Sequence, residues 1–244
     1  MSDWSVLLGY RGSVSHGTYR PNNDPNSIDD VDLMGICVPP IDYYFGTKQF
    51  GSRGTQEIVD NEWDIVVYEA KKMIHLLAQG NPNVLSMLWM EPEFYIDITP
   101  AGQLLIDSRH LFSAAHVYRS FTSYAHSQLK KMESFVFNGY MGEKRKQLTL
   151  KYGYDTKNAS HLIRLLRMGV EFLETGELVV LRPDASELLA IKDGNWSLDK
   201  IKSTADELFT QAERAYLNTH LPDKPDMDNI NQLSINVIKT HYQL

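Results

Sequence analysis

Gly12-Ser13 and, 17 residues further on, Asp30-Val31-Asp32 are the residues of this chain best placed to do chemistry. Val6 to Leu8 is a short apolar run that breaks at glycines, as a strand does before a tight turn. Gly12 lets the backbone come close to a ligand, and Ser13 with the amides after it can point at phosphate oxygens. On an extended segment side chains alternate, so Asp30 and Asp32 share one face while Val31 and Leu33 take the other. Two carboxylates on one face beside a phosphate cradle suit phosphoryl transfer assisted by Mg²⁺ or Mn²⁺. Such a site usually takes a third carboxylate. Asp64, at the head of the run Ile65-Val66-Val67, is the candidate, with Glu57, Glu62 and Glu69 as competitors. Glu69 alternates to the face opposite Asp64. Asp29 reads as a loop residue facing away. His16 falls on the glycine-rich stretch as either an exposed or a functional residue, and Arg11 reads equally well as a strand-end surface charge.

These residues need strands to hold them. The pattern predicts strands near 5–10, 31–38 and 63–68, with another at 57–60. Tyr19 to Ile28 reads as an exposed loop that could shape access to the site. Apolar residues at helical spacing follow from Tyr68 to Gln79, and Gly80-Asn-Pro-Asn83 stops that helix and opens a short one through Trp89. A boundary near Thr99-Pro100 divides the chain into residues 1–100 and a mainly helical 101–244. The expected helices there are 101–107, 112–138, 143–150, 155–176, 184–191 and 197–219. A terminal segment, Ile230 to Tyr242, is expected to dock back on the body. The fold class is α+β, a small mixed sheet followed by helices.

The helix over 155–176 has a second chemical signal. At about 100° per residue, Leu162, Ile163, Leu166, Val170 and Leu173 form one apolar arc, with Lys157, His161 and Arg164 opposite. That trio faces either solvent or a cleft, and in a cleft it could neutralise the outer phosphates of a nucleotide or a pyrophosphate leaving group. Tyr43-Tyr44-Phe45 and Phe94-Tyr95 could stack a base or simply pack.

Composition narrows the classes. The net charge is -7, yet residues 119–167 carry a net +7, between flanks of -8 and -6. Overall acidity argues against non-specific nucleic-acid binding, while the basic middle could meet a triphosphate or a polynucleotide. Cys37 is the only cysteine, so no internal disulfide or cysteine-built zinc site can form and a reducing, cytoplasmic setting is expected. No apolar run approaches the ~18 residues of a membrane helix, and the start lacks the pattern of a signal peptide.

The pattern Gly12-Ser13 … Asp30-x-Asp32 resembles the DNA polymerase beta-like nucleotidyltransferase superfamily. Within it the chain is similar to the RNA-repair-associated, RlaP-type branch. That likeness extends to Asp64-Ile-Val-Val-Tyr68, Gly80-Asn-Pro-Asn-Val84, Ser127-Gln128 and Lys157-Asn-Ala-Ser-His161 with Arg164. It departs at Ser86, where relatives often carry glutamate. The resemblance implies a third acid on a neighbouring strand, which points to Asp64. It also implies a Lys…His…Arg set on the helical part, matching Lys157, His161 and Arg164.

The expected activity is metal-dependent transfer of a nucleoside monophosphate from an NTP to an acceptor hydroxyl, with release of pyrophosphate. Asp30, Asp32 and Asp64 would hold the metal, and Gly12, Ser13, Lys157, His161 and Arg164 the triphosphate. The resemblance favours an RNA end, such as that of tRNA, as acceptor. A protein or small-molecule acceptor is the alternative, as is a nucleotide- or RNA-binding regulator without catalysis. A calcium-binding acidic loop is disfavoured, because no Asp-x-Asp-x-Asp-Gly pattern is present.

Overall fold

The structure is a computed structural model that describes residues 2–21, 23–24, 27, 29–60, 63–133 and 142–244. Among these, five strands form one mixed sheet: β1 (Ser5–Arg11), β2 (Val31–Cys37), β3 (Thr55–Asp60), β4 (Trp63–Glu69) and β5 (Tyr95–Ile98). Their order is β3-β4-β2-β1-β5, with β2 and β4 parallel and every other pair antiparallel. The helices are α1 (Asp42–Phe45), α2 (Ala70–Ala78), α3 (Pro82–Leu85), α4 (Pro100–Asp107), α5 (Val117–Glu133), α6 (Glu143–Tyr152), α7 (Thr156–Thr175), α8 (Ala185–Lys192), α9 (Leu198–Asn218) and α10 (Met227–Tyr242). The chain is an α+β protein, as its pattern predicts.

Local chemistry sets the element ends. Glu69 caps α2 by accepting from the amides of Lys71 and Lys72, and Asp155 caps α7 through Lys157 and Asn158. Asn81 caps α3, with Pro82 at its first position, which is the architectural role expected of Asn81-Pro-Asn83. The helix expected over 83–89 divides into α3 and a 3-10 turn, Ser86–Leu88. The one expected over 112–138 starts only at Val117, and its end beyond 133 falls outside the described residues. Strand β5 and helix α1 carry only four residues each, too few for a periodic signal.

One hydrophobic core joins the sheet to the helices. Val6, Leu7, Met34 and Ile36 pack with Met73 and Leu77 of α2, Leu105 of α4 and Leu233 of α10. Leu165, Met168 and Phe172 of α7 belong to the same core. Leu162, Ile163 and Leu166 of α7 face a second cluster with Leu188, Ile191 and Ile201. The apolar arc expected on this helix is therefore divided between the two, with Val170 and Leu173 in the first core. With both flanks of α7 in cores, its polar positions are confined to what lies between. Among the described residues no helix is long and apolar enough to cross a membrane.

Candidate functional site

Sheet register builds the acidic half of the site. Arg11 pairs with Asp32 across β1 and β2, and Asp32 with Asp64 across β2 and β4. Directly paired residues point the same way, so the three side chains form a row. Met34 and Ile36 share Asp32's face and are buried in the core. Asp32 stands at the end of that face where the core gives way to a cleft. One guanidinium nitrogen of Arg11 lies 3.2 Å from Asp64 Oδ2 and 3.5 Å from Asp32 Oδ1. β2 begins at Val31 as expected, which leaves Asp30 just before the strand and exposed.

The turn after β1 fits against this row. Gly12 has φ of 65°, and a Cβ there would sit 2.6 Å from Asp32 Oδ2. Both the left-handed backbone and the carboxylate's closeness require glycine. The Ser13 carbonyl accepts from the Thr18 amide at 2.8 Å. Ser13 itself is half-buried beside the row.

A cleft of about 140 Å³ opens above Asp32, lined by Gly12, Arg11, His16, Tyr124, His161 and Arg164, with Asn83 and Ser86 on its rim. That volume suits phosphates rather than a whole nucleotide, since drug-sized ligand pockets start at about 300 Å³. His16 is 5% exposed. Its Nδ1 lies 3.0 Å from the Val180 carbonyl, and its Nε2 lies 2.8 Å from Arg164 Nη1. Arginine only donates, so Nε2 must accept and Nδ1 carries the proton. Burial, reinforced by the charge of Arg164, holds the His16 pKa well below its ordinary value. Burial does the same for His161, with Arg164 and Lys157 adding to the effect. Both imidazoles are neutral.

Arg164 is the unusual group. Burial pushes its guanidinium down to about 10, against ordinary arginine. Its contacts are His16 and, at 3.2 Å, the sulfur of Met168. No carboxylate pairs with it among the described residues. A half-buried cation held only by neutral acceptors is costly and suits an anion that arrives from outside.

The carboxylates show the opposite imbalance. Burial raises the Asp32 pKa; Arg11 and Lys157 pull it down, while Asp64 and Asp30 push it up. Hard oxygen donors crowded this way suit a divalent cation such as Mg²⁺. Among the described residues no three His, Cys, Asp or Glu side chains converge as a ready metal site. Arg11 stands between Asp32 and Asp64 instead. Of the competitors, Glu69 is occupied as the cap of α2 and as acceptor from Tyr44 at 2.8 Å. Glu57 is exposed on β3, opposite Val66, and Glu62 lies outside the described residues.

Asp29 corrects the expectation of an outward-facing loop residue. It is 3% exposed. Its Oδ2 accepts from Lys192 at 2.6 Å and from the Arg20 amide at 3.1 Å. Lys157, expected among the phosphate ligands, has its amine 3.8 Å from Asp29 Oδ1. Its charge also reaches Asp32. Lys192 is itself buried and bonds the Thr18 carbonyl at 3.0 Å, which fixes the end of the glycine-rich turn. Nothing in the sequence near Lys192 marks that role. Arg11, by contrast, sits one residue before Gly12, where its strand position already puts it level with the acids.

An αβ scaffold with strand-borne aspartates facing helix-borne cations across a phosphate-sized cleft defines a nucleotidyltransferase of the polymerase beta type. More narrowly, the chain belongs to the RlaP family, the RNA repair pathway DNA polymerase beta family, whose model matches residues 10–236. It is also similar to an uncharacterized 38.9 kDa protein from the nrdC-mobD intergenic region of Enterobacteria phage T4, at 29% identity over 139 residues. That alignment takes in 52% of this chain and 38% of the phage protein. Among solved structures, a nucleotidyltransferase-like protein from Exiguobacterium sibiricum 255-15 matches loosely, with 9% identity and a TM-score of 0.29. The match spans 98% of this chain and 69% of that one.

Proposed function

We propose that this nucleotidyltransferase moves a nucleoside monophosphate from an NTP to a hydroxyl at an RNA end. The observation that carries the reading is Arg164, a half-buried guanidinium without a carboxylate partner among the described residues, sharing its cleft with Asp32. The outer phosphates of a triphosphate would supply its missing counter-charge. Ser13 and the turn that begins at Gly12 would hold the remaining phosphate oxygens, with Lys157 and neutral His161 beside them.

Asp32, Asp64 and Asp30 would hold the divalent ion, and Arg11 would yield its place between the first two. When bound, Mg²⁺ or Mn²⁺ lowers the pKa of the acceptor hydroxyl and offsets charge on the departing pyrophosphate. The acceptor oxygen bonds to the α-phosphorus as the bond from that phosphorus to the bridging oxygen breaks. The hydroxyl proton passes to Asp64, the most open carboxylate of the row. Pyrophosphate leaves toward Arg164.

The test is transfer of label from an α-labelled NTP, with Mg²⁺ or Mn²⁺, into a pool of cellular RNA and protein. Labelled RNA that disappears with Asp32→Asn is the expected result. Label in protein instead would refute the RNA acceptor. Nucleotide binding without any transfer would favour a regulator over an enzyme.

A further inference from the structure

At the other end of the sheet lies a second cleft, of about 370 Å³, that the nucleotide chemistry does not use. Asp64 and Glu69 lie five residues apart on β4, which separates the two sites by about 17 Å at a strand's rise per residue. The cleft is formed by α1, the loop after it and the first turn of α2. Lys48, Arg53, Lys71 and Lys72 contribute four cations; Tyr43 and Tyr44 contribute aromatic walls. The nearby carboxylates are Asp42 and Glu69. Asp42 pairs with Lys48 at 2.5 Å, and Glu69 is bound to two amides and the Tyr44 hydroxyl. Among the described residues Arg53, Lys71 and Lys72 have no carboxylate partner. In a chain of net charge -7, four cations on a lining whose one acid is Glu69 are a local exception.

Two further features separate this surface from an ordinary solvated face. Phe45, in α1 beside Tyr43 and Tyr44, is 86% exposed. Arg53 has a left-handed backbone, φ 54°, without being glycine. Its turn is pressed on Lys72, since a Cβ on Gly54 would meet Lys72 Cβ at 2.9 Å. A left-handed arginine on a lining shared with three lysines is unfavourable for the fold alone and is the sort of strain found at binding surfaces. Phosphates would use the cations, and the exposed ring of Phe45, on the same short helix as the two tyrosines that wall the cleft, would stack a base. An acidic peptide would use the cations but not the ring.

We infer that this cleft binds the single-stranded part of an RNA, holding the acceptor strand so that its end reaches Asp32 and Asp64. As a route to the catalytic row it rests on the RNA-acceptor reading above. As a binding site it stands or falls separately.

The experiment uses the full chain and a short labelled oligoadenylate, followed by fluorescence anisotropy across a salt series. Arg53→Gly combined with Lys71→Ala and Lys72→Ala should weaken RNA binding about ten- to a hundredfold. It should also make the salt dependence shallower by about two, at roughly 0.7 for each phosphate that is no longer neutralised. ATP affinity should not change, and the melting temperature should not fall, because glycine accepts the backbone of residue 53. Phe45→Ala should weaken binding without changing the salt slope. Unchanged RNA affinity in the triple variant overturns the inference, as does wild type that fails to bind the oligonucleotide. An acidic peptide that competes as well as RNA, with Phe45→Ala silent, assigns the cleft to a protein partner and overturns it too. RNA binding through these residues without nucleotide transfer would keep the cleft and remove the acceptor reading. Transfer to RNA with the same RNA KM in wild type and triple variant would do the reverse.

Discussion

Arg164→Met isolates the charge of the cleft cation while keeping much of its length. Burial lowers the guanidinium pKa from 12.5 to about 10. At 1.36 kcal/mol per unit that gap is about 3 kcal/mol against the charged form, and access of solvent to the cleft reduces it to about 1–2 kcal/mol. Methionine removes this burden. It also leaves His16 Nε2 without its donor, an opposing loss of about 1 kcal/mol. The two nearly cancel, so the ligand-free variant should unfold within about 1 kcal/mol of wild type. Triphosphate binding should respond differently. Removing a charge-assisted hydrogen bond to an outer phosphate costs about 1.5–3 kcal/mol, or roughly ten- to a hundredfold in affinity. AMP lacks those phosphates, so its affinity should hold. Calorimetric titration with ATP and AMP, beside denaturant unfolding, measures all of this. A large loss of stability with ATP and AMP affected alike would make Arg164 a structural residue and refute the phosphate assignment.

Three further outcomes rest on the same geometry. Gly12→Ala should destabilise the chain by about 1–2 kcal/mol, from its positive φ and the contact with Asp32, and should abolish transfer by displacing that carboxylate; unfolding and label transfer on one preparation check it. Asp32→Asn should stop transfer without lowering the melting temperature, whereas Asp29→Asn should cost about 3–5 kcal/mol by leaving buried Lys192 without its counter-charge. His16 and His161 are neutral when folded and their pKa values lie well below 6.5, so the unfolded chain binds more protons below that value. Stability should then decrease as pH falls, by up to about 1.4 kcal/mol per unit for each histidine, until the folded pKa is reached. His16→Gln should reduce the slope measured in unfolding series between about pH 7.5 and about 5.5. Asp32 has the opposite sign in a lower window, just above 3.8, because its folded pKa is raised.

The candidate site is legible in the sequence where chemistry and local geometry coincide. Gly12, Asp32 and Asp64 are marked by residue type and strand position, and the sheet brings them together through register. The α+β class follows from the change of period near Thr99-Pro100. Burial that depends on a distant partner is not legible in this way. Asp29 differs from Asp30 by one position, yet one is locked to Lys192 and the other is exposed. Only the packing of α8 against the glycine-rich turn makes that difference. The helix carrying Arg164 shows a related limit. A single amphipathic arc leaves the far side to solvent or a cleft, and the second core against that helix turns His161 and Arg164 to the cleft.

The first core explains how two walls of opposite charge can face each other at a fixed separation. The acids are set by hydrogen-bonded register across β1, β2 and β4, which cannot slip by one residue without turning Asp32 to the other face. Arg164 is set by α7, whose neighbours Leu165 and Met168 are anchored in the same core as Met34 and Ile36. Each wall is strained by like charge or by a cation without counter-charge, and neither wall can relax by moving toward the other. Close-packed interiors transmit small displacements rather than absorb them. The electrostatic mismatch is therefore retained in the ligand-free protein. A ligand that brought negative phosphates to one side and a divalent ion to the other would relieve it, and the proposed metal-bound nucleoside triphosphate has that composition.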